Sequence, residues 1–238
     1  MARHSRWAQI KRQKGATDVK RGALFTKLAN AITAAARSGG DPQFNFKLRL
    51  AIEAAKNANM PKDNVERAIK RGAGELAGNE LMEARYEAFG PGGAAMIIEA
   101  LTDNKNRTVA NLKQTLNKHG GRLGGANSVA WMFERHGIIN ASLMAKAKRE
   151  ELELKAIEAG AEDIQKINDH LKIVTAPENL EPLKNALENL VTINELGIQW
   201  LAKEKVKLTK ENEKNLEVIL EKFNDDPDIT AVYTNYAA

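Results

Sequence analysis

The chain has 238 residues, 43% hydrophobic and 28% charged, a composition that fits one large globular domain or two to three small ones and excludes a disordered polypeptide. It has no cysteine, which removes disulfides, thiolate zinc sites and cysteine nucleophiles together. Its formal net charge of +5 conceals two regions of opposite sign: residues 1–72 hold 16 Lys/Arg against 5 Asp/Glu, a net of +11, and the remainder nets −6.

The first twenty residues lack an apolar face and read as a basic arm, in which Arg3, His4, Ser5, Arg6, Lys11, Arg12, Lys14, Lys20 and Arg21 surround Trp7. No apolar stretch follows the charges, so the N-terminus does not have the form of a secretory signal. Asp18 and the scarcity of serine argue against a mitochondrial presequence. No window holds the roughly 18 apolar residues that cross a bilayer. The expected location is cytoplasmic.

From Gly22 the pattern turns helical. Leu24, Phe25, Leu28, Ala31, Ile32 and Ala35 recur at three- and four-residue steps until Ser38-Gly39-Gly40. Leu48, Ala51, Ile52 and Ala55 form a second amphipathic face. A third helix begins at Pro61, with Asp63 and Glu66 near its positive end, and stops at Gly72. Three such helices suffice for a small bundle. The glycine-rich stretch from Gly72 to Asn79 reads as a linker.

Past it the period changes. Met82–Phe89 and Ala94–Leu101 read as strands around Gly90-Pro91-Gly92-Gly93, Asn106–His119 as a helix, and Ser128–Phe133 as a strand. A strand at Gly137–Ala141, a helix at Leu143–Ala159, a hairpin of Asp163–Ile167 and Leu171–Thr175, a helix at Leu180–Leu190 and a strand at Gly197–Leu201 follow. That β-α-β-β-α-β order is the ferredoxin-like one. The last elements, a helix at Glu211–Phe223 and a strand at Ile229–Tyr233, cannot form a domain alone. They are expected to complete the middle region. The fold class is thus α+β with three domains, an N-terminal helical bundle and two α/β domains, at least one ferredoxin-like, the third inserted into the second. The boundaries expected are 1–20 for the arm, 21–74 for the helical domain, 80–134 plus 206–238 for the discontinuous α/β domain, and 135–205 for the inserted one.

The segments Met1-Ala-Arg-His-Ser-Arg-Trp7, Asn59-Met-Pro-Lys-Asp-Asn64 and Thr102-Asp-Asn-Lys-Asn-Arg-Thr108 resemble the YebC/PmpR family, bacterial regulatory proteins related to the mitochondrial translational activator of cytochrome oxidase subunit one. Lys20-Arg-Gly22, Leu48-Arg-Leu-Ala-Ile52, Tyr86-Glu-Ala-Phe-Gly-Pro-Gly92 and Ser128-Val-Ala-Trp-Met-Phe133 agree with it. The match is dense to about residue 137 and looser beyond. Arg3 and Asn127 depart from the family pattern, and Asn127 leaves the shape of its turn open. The resemblance implies three domains, a cytoplasmic location and two competing roles, DNA-binding transcriptional regulation and translation on the ribosome.

A block this basic marks a polyanionic partner. Phosphates take Lys and Arg, releasing counterions, and an indole stacks on an unpaired base. The alternative is a solvated tail. Duplex DNA would need a helix in a groove, for which the third helix offers Lys62, Arg67, Lys70 and Arg71; those charges also suit the wet face of a bundle helix. Lys27 belongs to the same basic region. In Thr102–Thr108, Asp103 or Asn104 serves as a helix cap while Lys105 and Arg107 offer contacts. Gly121-Arg-Leu-Gly124 has the spacing of a KH loop, yet joins a helix to a strand and reads as a turn.

Catalysis finds little support. The four histidines share no metal-ligand spacing, and Glu150, Glu151 and Glu153 read as a solvated helix face. The expectation is a non-enzymatic nucleic-acid-binding regulator without cofactor or metal, most at home on RNA and the ribosome, with DNA-bound transcriptional regulation as the alternative and no membrane partner.

Overall fold

A computed structural model of the chain describes residues 18–76, 80–145, 147–167 and 170–237, with side chains from residue 21 onward. The described residues divide into two units, one of residues 18–128 and 208–232, the other of 129–207 and 233–237. The architecture is α+β.

The first unit opens with three helices, α1 (Asp18–Ala36), α2 (Phe46–Asn57) and α3 (Lys62–Gly72). Their small apolar faces meet in a core of Ile32, Ala36, Leu48, Ala55, Met60, Val65 and Ala68, with Phe25, Leu28 and Ile52 packed around it. Helix α2 starts where the Asn45 side chain accepts from Leu48 N–H at 3.1 Å. Alanine-rich packing lets the helices approach closely. A Cβ built on Gly72 would sit 2.6 Å from Ala36 Cβ, so only glycine lets α3 run this near α1. Beside it the buried Thr33 hydroxyl donates to Ala68 O at 3.2 Å.

The same unit continues with β1 (Met82–Phe89) and β2 (Ala95–Thr102), paired antiparallel from Met82↔Thr102 to Phe89↔Ala95. Between them Gly92 and Gly93 take φ of 68° and 80°, which the hairpin turn requires. After α4 (Lys105–Lys118) and the two-residue β3 (Arg122–Leu123), the sheet order is β3-β1-β2-β8, its last strand being Ile229–Thr234. Strand β2 is the centre of this core, with Met96, Ile97 and Ile98 fully buried. The last described helix, α7 (Lys210–Asp225), buries Leu216, Ile219, Leu220 and Phe223.

Ser128–Phe133, read from sequence as a strand, is instead a short 3-10 turn, Ala130–Met132, in which Met132 N–H bonds Val129 O at 2.9 Å. The strand begins only at Phe133 and runs unbroken to Leu143 as β4, because β7 (Val191–Ala202) pairs with it over that whole length. Both were expected to be far shorter. The expected helix from Leu143 therefore starts six residues later, as α5 (Arg149–Glu158).

In this second unit the chain runs β4, α5, β5 (Ala161–Ile167), β6 (His170–Thr175), α6 (Leu180–Leu187), β7, and the spatial order is β5-β6-β4-β7. Leu152 and Ala156 of α5 and Leu180, Leu183 and Leu187 of α6 pack on Ile139, Ala141, Leu171, Ile173 and Val191. The other face of the strands carries the alternate residues Asn140, Ser142, His170 and Lys172. No described helix is long and apolar enough to cross a membrane.

Candidate nucleic-acid interface

Helix α3 is strongly amphipathic because its apolar and charged residues alternate at helical spacing. Val65 and Ala68 face the core, and Lys62, Glu66, Arg67, Lys70 and Arg71 face water. Lys62 reaches Glu66 at 3.4 Å, one turn along the helix. Arg67, Lys70 and Arg71 lie on one stripe at spacings of three and four residues, and no carboxylate among the described residues pairs with any of them. The stripe thus presents three full positive charges side by side. It belongs to a segment, residues 18–76, with 11 Lys/Arg and 6 Asp/Glu.

Other sequence-predicted contacts are engaged within the protein. The Lys27 ammonium donates to the carbonyls of Phe223 and Asn224, at 3.3 and 2.6 Å, and so caps the carboxyl end of α7. Arg21 is exposed, its guanidinium 5.5 Å from the Phe25 ring centroid. Arg3, His4, Ser5, Arg6, Trp7, Lys11, Arg12 and Lys14 lie outside the described residues, and Lys20 is placed only as backbone of α1.

The Thr102–Thr108 segment makes a braced corner. Asn104 is the cap of α4, its side chain accepting from Arg107 N–H at 3.0 Å. Arg107 Nη2 donates to Asp103 at 2.9 Å and to both carboxylate oxygens of Asp228 at 3.0 Å. The hydrogen bond to Asp228 first, and that to Asp103 second, hold the guanidinium pKa above its ordinary value. Thr102 Oγ1 donates to the same buried carboxylate at 3.1 Å, and Thr108 Oγ1 lies 2.9 Å from it. Lys105 is exposed and has no ion-pair partner among the described residues. Sequence reasoning had no means of finding Asp228, since its partners Thr102, Arg107 and Thr108 lie 120 to 126 residues earlier in the chain.

Gly121–Gly124 runs from the end of α4 into β3, and Arg122 lies 4.5 Å over the Phe89 ring. The dent beside it, lined by Gly90, Gly93, Gly120 and Gly121, measures about 160 Å³. That is below the roughly 300 Å³ at which ligand pockets begin. Asn127 has φ of 61° and donates its N–H to Glu87 Oε1 at 2.8 Å; asparagine tolerates this left-handed geometry, which defines the turn. No three histidine, aspartate or glutamate side chains among the described residues stand together as a metal site. His170 Nδ1 lies 2.9 Å from Ser142 Oγ, which also accepts from Asn194 at 2.9 Å, a set of cross-strand hydrogen bonds on β4, β6 and β7.

Residues 5–75 match the model of the TACO1/YebC protein N-terminal domain, and residues 81–236 that of the TACO1/YebC second and third domain. The chain belongs to the TACO1/YebC family. Family relatives from Petrotoga mobilis and Pseudothermotoga lettingae, each called a probable transcriptional regulatory protein, are 48% and 47% identical, covering 99% of this chain and 94% of their own. A crystal structure of a conserved hypothetical protein from Aquifex aeolicus superposes with a TM-score of 0.85 at 42% identity, over 98% of this chain and 96% of that one. Within the family scaffold, one exposed residue that sequence reading passed over is Phe44, concealed behind a Gly-Gly-Asp-Pro run that reads only as a chain break.

Proposed function

We propose that this protein is a nucleic-acid-binding regulator, an RNA- and ribosome-associated factor of the cytoplasm that modulates elongation or activates translation by binding and without catalysis. The observation that carries the reading is the Arg67, Lys70 and Arg71 stripe on α3, unpaired among the described residues and set in a segment with nearly twice as many basic as acidic residues. Such a stripe neutralises phosphates and gains from counterion release. The basic arm, with Arg3, His4, Ser5, Arg6, Trp7, Lys11, Arg12, Lys14 and Lys20, extends the same charge and supplies an indole for stacking. Lys62, Lys105 and Arg21 are further contacts on this reading. RNA is favoured because folded RNA offers dense phosphates beside splayed bases, which flexible cations and an indole suit. The three-domain plan, with a ferredoxin-like domain inserted into a discontinuous α/β domain, supports a division between an anchoring helical part and α/β parts that address a partner.

A second reading rests on the relatives' shared name, probable transcriptional regulatory protein. There the same charges would grip duplex DNA, with α3 toward a groove. Ultraviolet crosslinking in growing cells, followed by sequencing of the attached nucleic acid, separates the two. Crosslinks on ribosomal RNA that vanish when the basic residues are neutralised support translation. Discrete promoter DNA without ribosomal enrichment overturns it in favour of transcription.

A further inference from the structure

Phe44 is 88% exposed, more than any other large apolar side chain among the described residues. It stands on the loop from α1 to α2, and that loop is fixed. Asn45, buried, donates to the carbonyls of Ala35 and Gly39 at 2.7 and 2.8 Å and accepts from Leu48 N–H. Gln43 N–H bonds Asp41 Oδ1 at 2.8 Å, and Phe44 N–H bonds Asp41 O at 3.2 Å. From the other side Arg49 Nη1 donates to the carbonyls of Pro42 and Gln43 at 2.7 and 2.8 Å. The backbone on both sides of the ring is thereby anchored, so the ring is displayed on a rigid mount.

The setting indicates what would cover the ring. Lys47 and Arg49 are exposed on the first turn of α2, and the Arg49 guanidinium lies 5.6 Å from the Phe46 ring centroid. Arg49 spends one nitrogen on the loop carbonyls and keeps its remaining donors. Asp41, a nearby exposed acid, accepts from the loop amide of Gln43. Cations interleaved with an aromatic surface are what single-stranded nucleic acid binds, bases on the rings and phosphates on the charges.

We propose that Phe44 is a stacking platform for an unpaired RNA base, with Lys47 and Arg49 holding the flanking phosphates. The proposal rests on the nucleic-acid reading above and assigns it a specific contact. A protein pocket capturing the ring is the competing occupant, and it predicts no effect on RNA.

The test is fluorescence anisotropy of the full chain with a single-stranded RNA oligonucleotide, its counterpart carrying abasic positions, and an RNA duplex. The proteins are the unaltered chain, F44A, F44W and a variant with Arg67, Lys70 and Arg71 changed to Gln. F44A should weaken single-strand binding about 5- to 100-fold while keeping its salt slope, and F44W should restore it. The unaltered chain should bind abasic RNA about as weakly as F44A binds intact RNA. Duplex binding should not distinguish F44A from the unaltered chain. Equal affinity of F44A and the unaltered chain for intact single strands, with the Arg67 variant impaired, overturns the platform and leaves the nucleic-acid reading standing. Failure of the unaltered chain to bind any of the three nucleic acids overturns both.

Discussion

Arg107 and Asp228 stand 121 residues apart in the chain and meet at 3.0 Å, fastening the first turn of α4 to the start of β8. The carboxylate is buried and also serves the buried hydroxyls of Thr102 and Thr108. Removing it takes the carboxylate acceptor from the Thr102 hydroxyl, leaves Arg107 with Asp103 alone and turns the Thr108 hydroxyl to Asn104 O. Asp228→Ala should destabilise the protein by about 2–3 kcal/mol in urea unfolding, below the roughly 3–5 kcal/mol of a fully buried broken pair because Arg107 is half-exposed. Asp228→Asn, which keeps an acceptor, should lose about half as much. Equal losses for the two variants would show that the charge, and not the shape or a retained acceptor, matters there.

Tyr86 makes the opposite forecast. Its hydroxyl is buried without a hydrogen-bond partner among the described residues, and burial first, then the Asp228 charge, push its pKa up. Tyr86→Phe should therefore be neutral or stabilise by about 1 kcal/mol at pH 7. The raised pKa means that the fold disfavours the phenolate. Wild-type stability should then fall relative to Tyr86→Phe as pH rises above about 10, the ordinary tyrosine value. Parallel stability curves for the two proteins between pH 9 and 11 would contradict this.

Lys172 sits in the second sheet between Asn140 and Gln165, buried, with its pKa lowered by desolvation against the opposing pull of Asp163 and Glu195. The unfolded chain binds the proton more readily, so folding gains stability as pH rises toward the ordinary value of 10.5. Lys172→Met should stabilise by on the order of 1 kcal/mol at pH 7, and its advantage should shrink by pH 10. Urea midpoints across that range give the answer.

Gly72→Ala should cost about 1–3 kcal/mol, since the new methyl meets Ala36 and the Thr33 carbonyl. Gly125, beside open space, is the control, and Gly125→Ala should change little. Thermal unfolding of both variants decides it.

Changing Arg67, Lys70 and Arg71 together to Gln should lower the slope of log affinity against log salt by about 2 on single strands, at roughly 0.7 per phosphate contact. A slope that stays put would remove α3 from the interface while leaving its packing intact.

What the sequence disclosed and what it withheld follow one physical division. Gly90-Pro91-Gly92-Gly93 flanked by alternating apolar residues specifies its own hairpin, because turn and register are both local. The helical faces of Leu48–Ala55 and Val65–Ile69 were equally plain, for their period is written in adjacent turns. Strand β7 was found only in its second half. Its first residues, Val191-Thr-Ile-Asn-Glu195, are a strand because β4 lies beside them, a circumstance that no short window contains. The interface divides in the same way. The charges of α3 are visible as a spacing, whereas the engagement of Lys27 by α7 and of Arg107 by Asp228 depends on segments about 200 and 120 residues away. Phe44 was missed for another reason: turn signals explain the backbone around it and say nothing of where its ring goes.

Strand β8 has a consequence for how the molecule is made. The sheet begun by β1 and β2 lacks its outer strand until residues 229–234 leave the ribosome, while β4 to β7 are all synthesised by residue 202. During elongation the later sheet is therefore able to close first, and the earlier one waits with the edge of β2 uncovered. A nascent chain halted in the α7 stretch would hold one finished sheet and one unfinished. Pairing across so long an interval should also make closure of the β3-β1-β2-β8 sheet the slow step of refolding.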